Sequence, residues 1–312
     1  MINEKGGKGV SILITGATGF VGKNFIRMML AEGYESKEMI LAVSKADSAL
    51  VKAGFRLLLH KNYTYSSGEL MELLQPEESI DTVIHLGALT PKGNGSDETA
   101  DYGENIRTTK HLLTTLPAAP RRFLFGSSVS VYNTDESTAD GRYGASKRAC
   151  ENLLKEQLLN TELWLLRFGP IYGPGEEAYQ KIAGTFLKKA MAGENIYLKG
   201  DGSAVRHMVY VDDVCGAIIR VLKESPKIEG SCHILDIVNE TPVTIRQLAD
   251  WAVKMAGSDS QIIVETENDD QTHRQEPSNM TTKYAQGIYS GEKMTSYREG
   301  MQQLYHHLKE QA

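Results

Sequence analysis

The chain has 312 residues, enough for about two domains. Its composition, 41% hydrophobic and 24% charged, excludes a disordered or collagen-like chain. With 34 basic and 40 acidic residues the formal net charge is −6, so no nucleic-acid partner is expected.

Short apolar strands alternate with helical patterns through the first half of the chain. Strands are predicted at 10–14, 39–43, 57–59, 82–84, 123–125 and 163–167, and helices at 20–30, 69–74, 105–116 and 145–159. This alternation predicts an α/β fold with a doubly wound parallel sheet of the Rossmann type, because the connecting helices cover both faces of such a sheet. Beyond residue 168 the pattern is mixed, with helices predicted at 244–256 and 296–308 and another beginning near Val214, capped by Asp212 and Asp213.

A glycine-rich loop joins the first strand to the first helix. It reads Gly16-Ala17-Thr18-Gly19-Phe20-Val21-Gly22, a GxxGxxG run. Glycines allow the backbone to turn tightly and approach a pyrophosphate, which the helix N-terminus then binds. A Walker A loop is excluded because it needs a glycine where Ala17 stands and a Ser or Thr where Asn24 stands. The predicted dinucleotide contacts in the loop are Gly16, Thr18, Gly19, Phe20, Val21 and Gly22.

The loop and the element pattern together predict the domain organisation. Residues 1–167 form a dinucleotide-binding Rossmann domain, to which 208–240 returns. Residues 168–207 and 241–312 form a smaller C-terminal substrate-binding lobe.

A tyrosine and a lysine at helical spacing form the candidate catalytic pair. Tyr143 and Lys147 are four residues apart and share one face of a helix. A lysine ammonium beside a phenol favours the phenolate, which lowers the phenol pKa and lets it move a proton. The pairs Tyr289/Lys293 and Tyr305/Lys309 have the same spacing, but only Tyr143 follows the fifth strand and its serines.

Several motifs together resemble one family. The loop beginning at Thr15, the segment His85-Leu86-Gly87-Ala88 and the segment Phe125-Gly126-Ser127-Ser128 are similar to the extended short-chain dehydrogenase/reductases, the NAD-dependent epimerase/dehydratase group. The resemblance implies a catalytic set of Ser128, Tyr143 and Lys147, with Ser128 favoured over Ser127. It also implies cofactor contacts at Leu86, Gly87, Ala88, Asn105, Phe168, Tyr143 and Lys147, and substrate contacts at Thr90, Ser128, Pro170 and Arg206.

The end of the second strand bears on the cofactor. NAD needs an acidic residue there for the ribose hydroxyls, whereas a basic or hydroxyl residue suits the 2′-phosphate of NADP. The strand ends Val43-Ser44-Lys45, with no carboxylate before Asp47. NADP is therefore favoured slightly over NAD, with contacts at Ser44 and Lys45.

The resemblance favours an NAD(P)-dependent epimerase or 4-ketoreductase acting on a nucleoside-diphosphate sugar, with Arg206 on the diphosphate. Val129 and Ser130 stand where sugar dehydratases of the family carry an Asp-Glu pair, so no dehydration is expected. Pro170 replaces an Asn common in sugar-nucleotide members. An NADP-dependent reductase or dehydrogenase of an unactivated carbonyl or alcohol therefore remains the alternative, followed by a non-catalytic dinucleotide-sensing protein.

The cysteines, the apolar runs and two helices indicate the compartment and the partners of the protein. Cys150, Cys215 and Cys232 show no CxxC spacing, which predicts reduced thiols and no metal site. Met1 to Gly9 are polar and no run reaches the roughly 18 apolar residues of a membrane span, so we expect a cytoplasmic protein without a membrane partner. The resemblance implies a homodimer through helices 105–116 and 145–159, with Leu112, Leu154 and Leu158 among the candidate contacts.

Overall fold

A computed structural model describes residues 10–92, 99–176, 181–224, 230–265 and 293–311. In chain order the strands are β1 (Val10–Thr15), β2 (Met39–Val43), β3 (Arg56–Leu59), β4 (Ser79–His85), β5 (Arg122–Ser128), β6 (Glu162–Phe168), β7 (Ile171–Tyr172), β8 (Ile196–Lys199), β9 (Val205–Arg206), β10 (Val209–Tyr210), β11 (Cys232–Ile237), β12 (Val243–Thr244) and β13 (Ile262–Glu265). The helices are α1 (Phe20–Ala31), α2 (Ser48–Lys52), α3 (Ser67–Leu73), α4 (Gly103–Thr115), α5 (Ala139–Gln157), α6 (Ile182–Met191), α7 (Val211–Lys223), α8 (Ile245–Ala256) and α9 (Tyr297–Gln311).

The central feature is a seven-stranded sheet in the order β11-β6-β5-β4-β1-β2-β3. The pairs β1–β2, β1–β4, β2–β3 and β4–β5 are parallel. The chain begins in the middle of the sheet, builds outwards to β3, and then crosses to the other side of β1. This order is that of a doubly wound sheet and confirms the predicted fold class. It places the carboxyl ends of β1, β4 and β5 side by side.

The sequence misplaced the start of α5. The helix begins at Ala139 rather than near residue 145, because the Thr138 hydroxyl caps it by accepting a hydrogen bond from the backbone N–H of Gly141. Two glycines, Gly141 and Gly144, lie inside this helix. In the structure each lies where a Cβ atom would approach backbone too closely, within 1.8 Å of Asp135 O and 1.9 Å of Ser130 O, respectively.

One core lies between the sheet and the helices α4 and α5. It contains Phe123 and Phe125 from β5 together with Leu112 of α4 and Leu154 of α5, all almost fully buried. Leu112, Leu154 and Leu158 therefore pack within the first core instead of forming an exposed face. The homodimer stays a prediction.

The chain divides into two compact units. The first comprises 1–90, 100–167 and 222–235, and the second comprises 91–99, 168–221 and 236–312. Of the segment 208–240, which the sequence predicts to return to the first domain, 222–235 lies in the first unit and the remainder in the second. The second unit has its own core, formed by α6, α8, α9 and the β8–β13 ribbon.

Within the residues that the structure describes, no helix is long and apolar enough to cross a membrane.

Candidate active site

The glycine-rich loop is packed against the end of β4. Gly16 has φ +70°, and a Cβ there would lie 2.6 Å from the backbone nitrogen of Gly87. A Cβ on Gly22 would lie 2.1 Å from Gly16 O, so α1 also approaches the loop at backbone distance. The N-cap of α1 is Gly19, and its first turn holds no acidic residue. We call the closely packed backbone at Gly16, Gly22 and Gly87 the glycine cradle. A helix N-terminus without a carboxylate, beside this cradle, fits the pyrophosphate of a dinucleotide.

The predicted loop contacts differ in exposure. The Thr18 side chain is exposed, Phe20 and Gly22 are buried, and Gly19 and Val21 are half-buried. In the segment after β4, Leu86, Gly87, Ala88 and Thr90 are all half-buried.

A buried histidine connects the loop to α4. His85 Nδ1 lies 2.6 Å from Thr15 Oγ1, and His85 Nε2 lies 3.1 Å from Thr109 Oγ1. Burial, with a smaller contribution from the charge of Lys147, lowers the His85 pKa to about 3, so the imidazole is neutral. Thr109 donates its own proton to Asn105 O, which assigns the imidazole proton to Nε2. Thr15 in turn accepts from the N–H of Gly87, so the histidine fixes both sides of the cradle.

Asn105 positions the segment that follows β4. Its Oδ1 accepts from Leu89 N at 2.7 Å, and its Nδ2 donates to Leu89 O at 3.0 Å and to Ser146 Oγ at 3.2 Å. Both ends of the amide thus bind protein groups and tie this segment to α5. A direct cofactor contact of Asn105 stays a prediction, and in the structure its side-chain amide holds the neighbouring segment.

Lys147 and Tyr143 are both buried in the first unit. The Lys147 ammonium donates to Gly126 O at 2.7 Å and lies 5.9 Å from the centroid of the Tyr143 ring. Burial lowers the pKa of Lys147 to about 8. Burial raises the pKa of Tyr143, and the charge of Asp140 raises it further. The net pKa shift of Tyr143 is therefore upward, because desolvation of the phenolate dominates, and a lowering by Lys147 stays a prediction.

The two serines at the end of β5 have different partners. Ser127 Oγ donates to Glu151 Oε1 at 2.6 Å, and the same carboxylate is bound by Arg167 through two hydrogen bonds of 2.9 and 2.6 Å. Ser128 Oγ donates to Ser130 Oγ at 3.0 Å and accepts from Ser130 N. Ser127 is therefore hydrogen-bonded to the ion pair of Glu151 and Arg167. This supports the choice of Ser128 as the candidate catalytic hydroxyl.

The residues after β2 are exposed. Ser44 and Lys45 both face solvent. Asp47, the first carboxylate after the strand, caps α2 by accepting from the backbone N–H groups of Ala49 and Leu50 at 2.8 and 3.3 Å. One oxygen of its carboxylate, Oδ1, is therefore hydrogen-bonded to the backbone of α2.

The remaining predicted residues belong to the second unit. Phe168 is buried and Pro170 is exposed. Arg206 is half-buried, and its Nη1 donates to Val205 O at 2.9 Å. Helix α7 begins at Val211 rather than near Val214, and Asp213 lies within its first turn. Asp212 and Asp213 therefore lie inside the helix rather than before it, and Asp213 accepts hydrogen bonds from the backbone and hydroxyl of Thr295 at 3.0 and 3.1 Å.

Among the described residues, no group of three or more His, Cys, Asp or Glu side chains could hold a metal ion. Cys150 and Cys215 are buried free thiols, and Cys232 is an exposed one.

Sequence reasoning missed the residues that support the site. Thr15 and Thr109 flank His85, the Tyr102 ring contacts the Tyr143 ring edge-on at 5.6 Å, and Asp140 bonds to Ser130. Polar residues at strand ends were the available signal for Thr15 and His85. No local pattern marks Tyr102 or Asp140, because their partners come from other elements.

The chain belongs to the NAD dependent epimerase/dehydratase family, whose family model matches residues 12–235. It is an enzyme of this family, as its sequence predicted. Two dTDP-4-dehydro-6-deoxy-D-allose reductases are similar along most of their length. The one from Streptomyces sp. is 27% identical and the one from Streptomyces bikiniensis 28%, with 81% of this chain and 83% of each relative covered.

Solved structures support the fold. A UDP-glucose 4-epimerase from Thermotoga maritima gives a TM-score of 0.74 at 18% identity, with 96% of this chain and 99% of that chain covered. A UDP-glucuronic acid 4-epimerase from Bacillus cereus, solved with UDP-glucuronic acid and NAD, gives 0.73 at 19% identity, with 97% and 100% covered. At these identities the likeness establishes the architecture.

Proposed function

We propose that this protein transfers hydride between a nicotinamide dinucleotide and a carbon of a nucleotide-activated sugar, as a 4-ketoreductase or an epimerase. The observation that carries the proposal is the buried set of Ser128, Tyr143 and Lys147 in the same unit as the glycine cradle at Gly16. The names of the relatives, nucleotide-sugar reductases and epimerases, agree with it.

The dinucleotide supplies or accepts the hydride when bound. The residues of the chain handle the proton and the orientation. Tyr143 has a raised pKa, so its phenol is protonated and can donate to a carbonyl oxygen during reduction. Ser128 hydrogen-bonds the reacting oxygen once that oxygen carries a proton. Lys147, fixed by Gly126 O, offers an ammonium to hydroxyl groups of the cofactor ribose.

Tyr143→Phe tests the chemistry. With NADPH and a dTDP-4-keto-6-deoxyhexose as the probe substrate, we expect kcat to fall by at least about a hundredfold, because the proton donor is gone. Tyr305→Phe is the matched control, since Tyr305 and Lys309 have the same spacing on α9 of the second unit. Full activity in Tyr143→Phe would refute the assignment.

We propose NADP as the preferred dinucleotide. Ser44 and Lys45 are exposed after the end of β2, and the first carboxylate that follows, Asp47, uses its Oδ1 to cap α2. Lys45→Ala should weaken NADPH binding about tenfold while NADH binding stays unchanged, because only NADPH carries the 2′-phosphate. Lys52→Ala, also exposed in the same segment, is the control. Release of stoichiometric NAD on denaturing the purified protein would contradict this preference.

Pro170 favours a second candidate, an NADP-dependent reductase or dehydrogenase of an unactivated carbonyl or alcohol. A proline at this exposed position supplies no side-chain hydrogen bond to a nucleotide sugar. Failure of both dTDP and UDP to inhibit turnover would favour this candidate. Arg206→Met separates the two, since it should raise KM about tenfold for a nucleotide sugar and leave an unactivated carbonyl unaffected.

A further inference from the structure

A chain of side chains leads from Ser128 to a carboxylate on α5. Ser128 Oγ donates to Ser130 Oγ at 3.0 Å, and Ser130 Oγ donates to Asp140 Oδ1 at 2.7 Å. The other carboxylate oxygen of Asp140 accepts from Asn133 Nδ2 at 2.9 Å. All of these residues lie in the first unit.

The turn and the helix that carry this chain are held together closely. Ser130 lies in a 3-10 turn, Val129–Tyr132, which directly follows β5. A Cβ on Gly144 would lie 1.9 Å from Ser130 O, so α5 packs on the turn at backbone distance. Arg148 of α5 donates to Val131 O and Asn133 O, both at 2.8 Å. The distance from Asp140 to Ser130 is therefore set by rigid elements.

The carboxylate fixes the direction of the hydrogen bonds. A carboxylate only accepts hydrogen bonds, so the hydroxyl group of Ser130 must donate its proton to Asp140. The hydroxyl of Ser130 then accepts from Ser128, while the N–H of Ser130 donates to Ser128 at 3.1 Å. The Ser128 oxygen has two lone pairs, and one of them is used by this N–H. The other remains as an acceptor.

We propose that Asp140 is a positioning residue that, through Ser130, holds the Ser128 hydroxyl as an acceptor and so makes the site complementary to the alcohol form of the sugar. The inference rests on the proposed function. A sugar hydroxyl would accept from the Tyr143 phenol and donate to Ser128, whereas a keto oxygen can only accept. The charge of Asp140 also helps to keep the Tyr143 phenol protonated. The resting site therefore binds the alcohol form more tightly than the keto form.

Binding of a matched ligand pair tests this preference. The probes are a dTDP-6-deoxyhexose, measured with NADPH, and its 4-keto counterpart, measured with NADP⁺, so that neither combination can react. Calorimetry should show about tenfold tighter binding of the alcohol by the native protein, a ratio equivalent to one well-formed hydrogen bond.

Asp140→Asn should reverse the direction of the hydrogen bonds that link position 140 to Ser130 and Ser128. Asn133 keeps its amide N–H₂ towards position 140, because its Oδ1 accepts from Asp135 N. The new amide must then place its oxygen towards Asn133 and its N–H₂ towards Ser130. Ser130 would donate to Ser128, and Ser128 would turn its proton towards the ligand. The alcohol-to-keto preference should fall about tenfold, to near one.

The double variant Asn133→Asp/Asp140→Asn provides the rescue. The carboxylate at position 133 accepts from the amide at 140, which returns the amide oxygen to Ser130 and restores the preference with the same net charge. Glu72→Gln, an exposed carboxylate on α3 of the same unit, controls for loss of charge and should change nothing. Thermal unfolding and dinucleotide binding check that every variant is folded.

The outcomes separate the two claims. If both probes bind but the ratio is the same in the native protein and in Asp140→Asn, the role of Asp140 is refuted and the proposed function stands. The same holds if the double variant fails to restore the preference. If neither probe binds the native protein, the nucleotide-sugar function fails, and the inference fails with it.

Discussion

The buried, neutral His85 makes the stability of the first unit depend on pH. Its pKa is 6.5 in an unfolded chain and about 3 in the folded protein. Between these values the unfolded state binds one proton more than the folded state, so stability falls as the pH is lowered. From pH 7 to pH 5 the loss is about 2 kcal/mol, less than the limiting slope of about 1.4 kcal/mol per pH unit would give, because the unfolded imidazole is only partly protonated near pH 6.5.

The variant His85→Gln isolates this contribution, because every other titrating group is shared with the native protein. Glutamine retains an N–H donor and an acceptor but does not titrate. The free energy of unfolding of the native protein minus that of the variant should decrease by about 2 kcal/mol between pH 7 and pH 5. Urea unfolding followed by Trp164 fluorescence measures it, in a Trp251→Phe background so that the signal comes from the first unit. Parallel pH profiles for the two proteins would refute a buried neutral imidazole.

Three further outcomes follow from burial and close approach. Gly16→Ala should abolish dinucleotide binding because its Cβ would meet Gly87 N at 2.6 Å, whereas Gly33→Ala, which shares the positive φ but would meet no described atom beyond its chain neighbours within 4 Å, should bind normally. In the NADPH assay, turnover should decline above about pH 8 as Lys147 loses its proton, and Lys147→Arg should remove that decline from whatever activity remains. Glu162→Gln should cost about 3 kcal/mol in urea unfolding because it leaves Arg122 buried without its charge partner, whereas Asp81→Asn, which breaks the exposed pair with Arg121, should cost less than about 1 kcal/mol.

The parts of the fold that could be predicted are those with a local cause. The apolar strands and the glycine-rich loop are visible because their residues are adjacent in sequence. Tyr143 and Lys147 are visible because a helix places residues four apart on one face. The start of α5 could not be predicted in this way. Gly144 lies inside the helix because a Cβ there would collide with Ser130 O, which belongs to another element.

The residues that support the candidate site are brought together by the order of the strands in the sheet. Sequence patterns do not reveal that order. Thr15 and His85 are 70 residues apart, and they meet only because β1 and β4 are neighbours. Asp140 reaches Ser130 because α5 packs on the 3-10 turn. Next to the candidate catalytic hydroxyl of Ser128 the sequence holds Val129 and Ser130, whereas the carboxylate of Asp140 reaches Ser130 only through the fold.

Burial acts in the same direction on the ionisable groups of the candidate site. It favours the neutral form of His85, of Tyr143 and of Lys147. With a pKa of about 8, Lys147 still keeps its charge at pH 7, while the other two are neutral. The site thus presents one cation, a phenol that donates and a serine that accepts. Such a set suits the neutral hydroxyl group of an alcohol, which accepts from the phenol and donates to the serine.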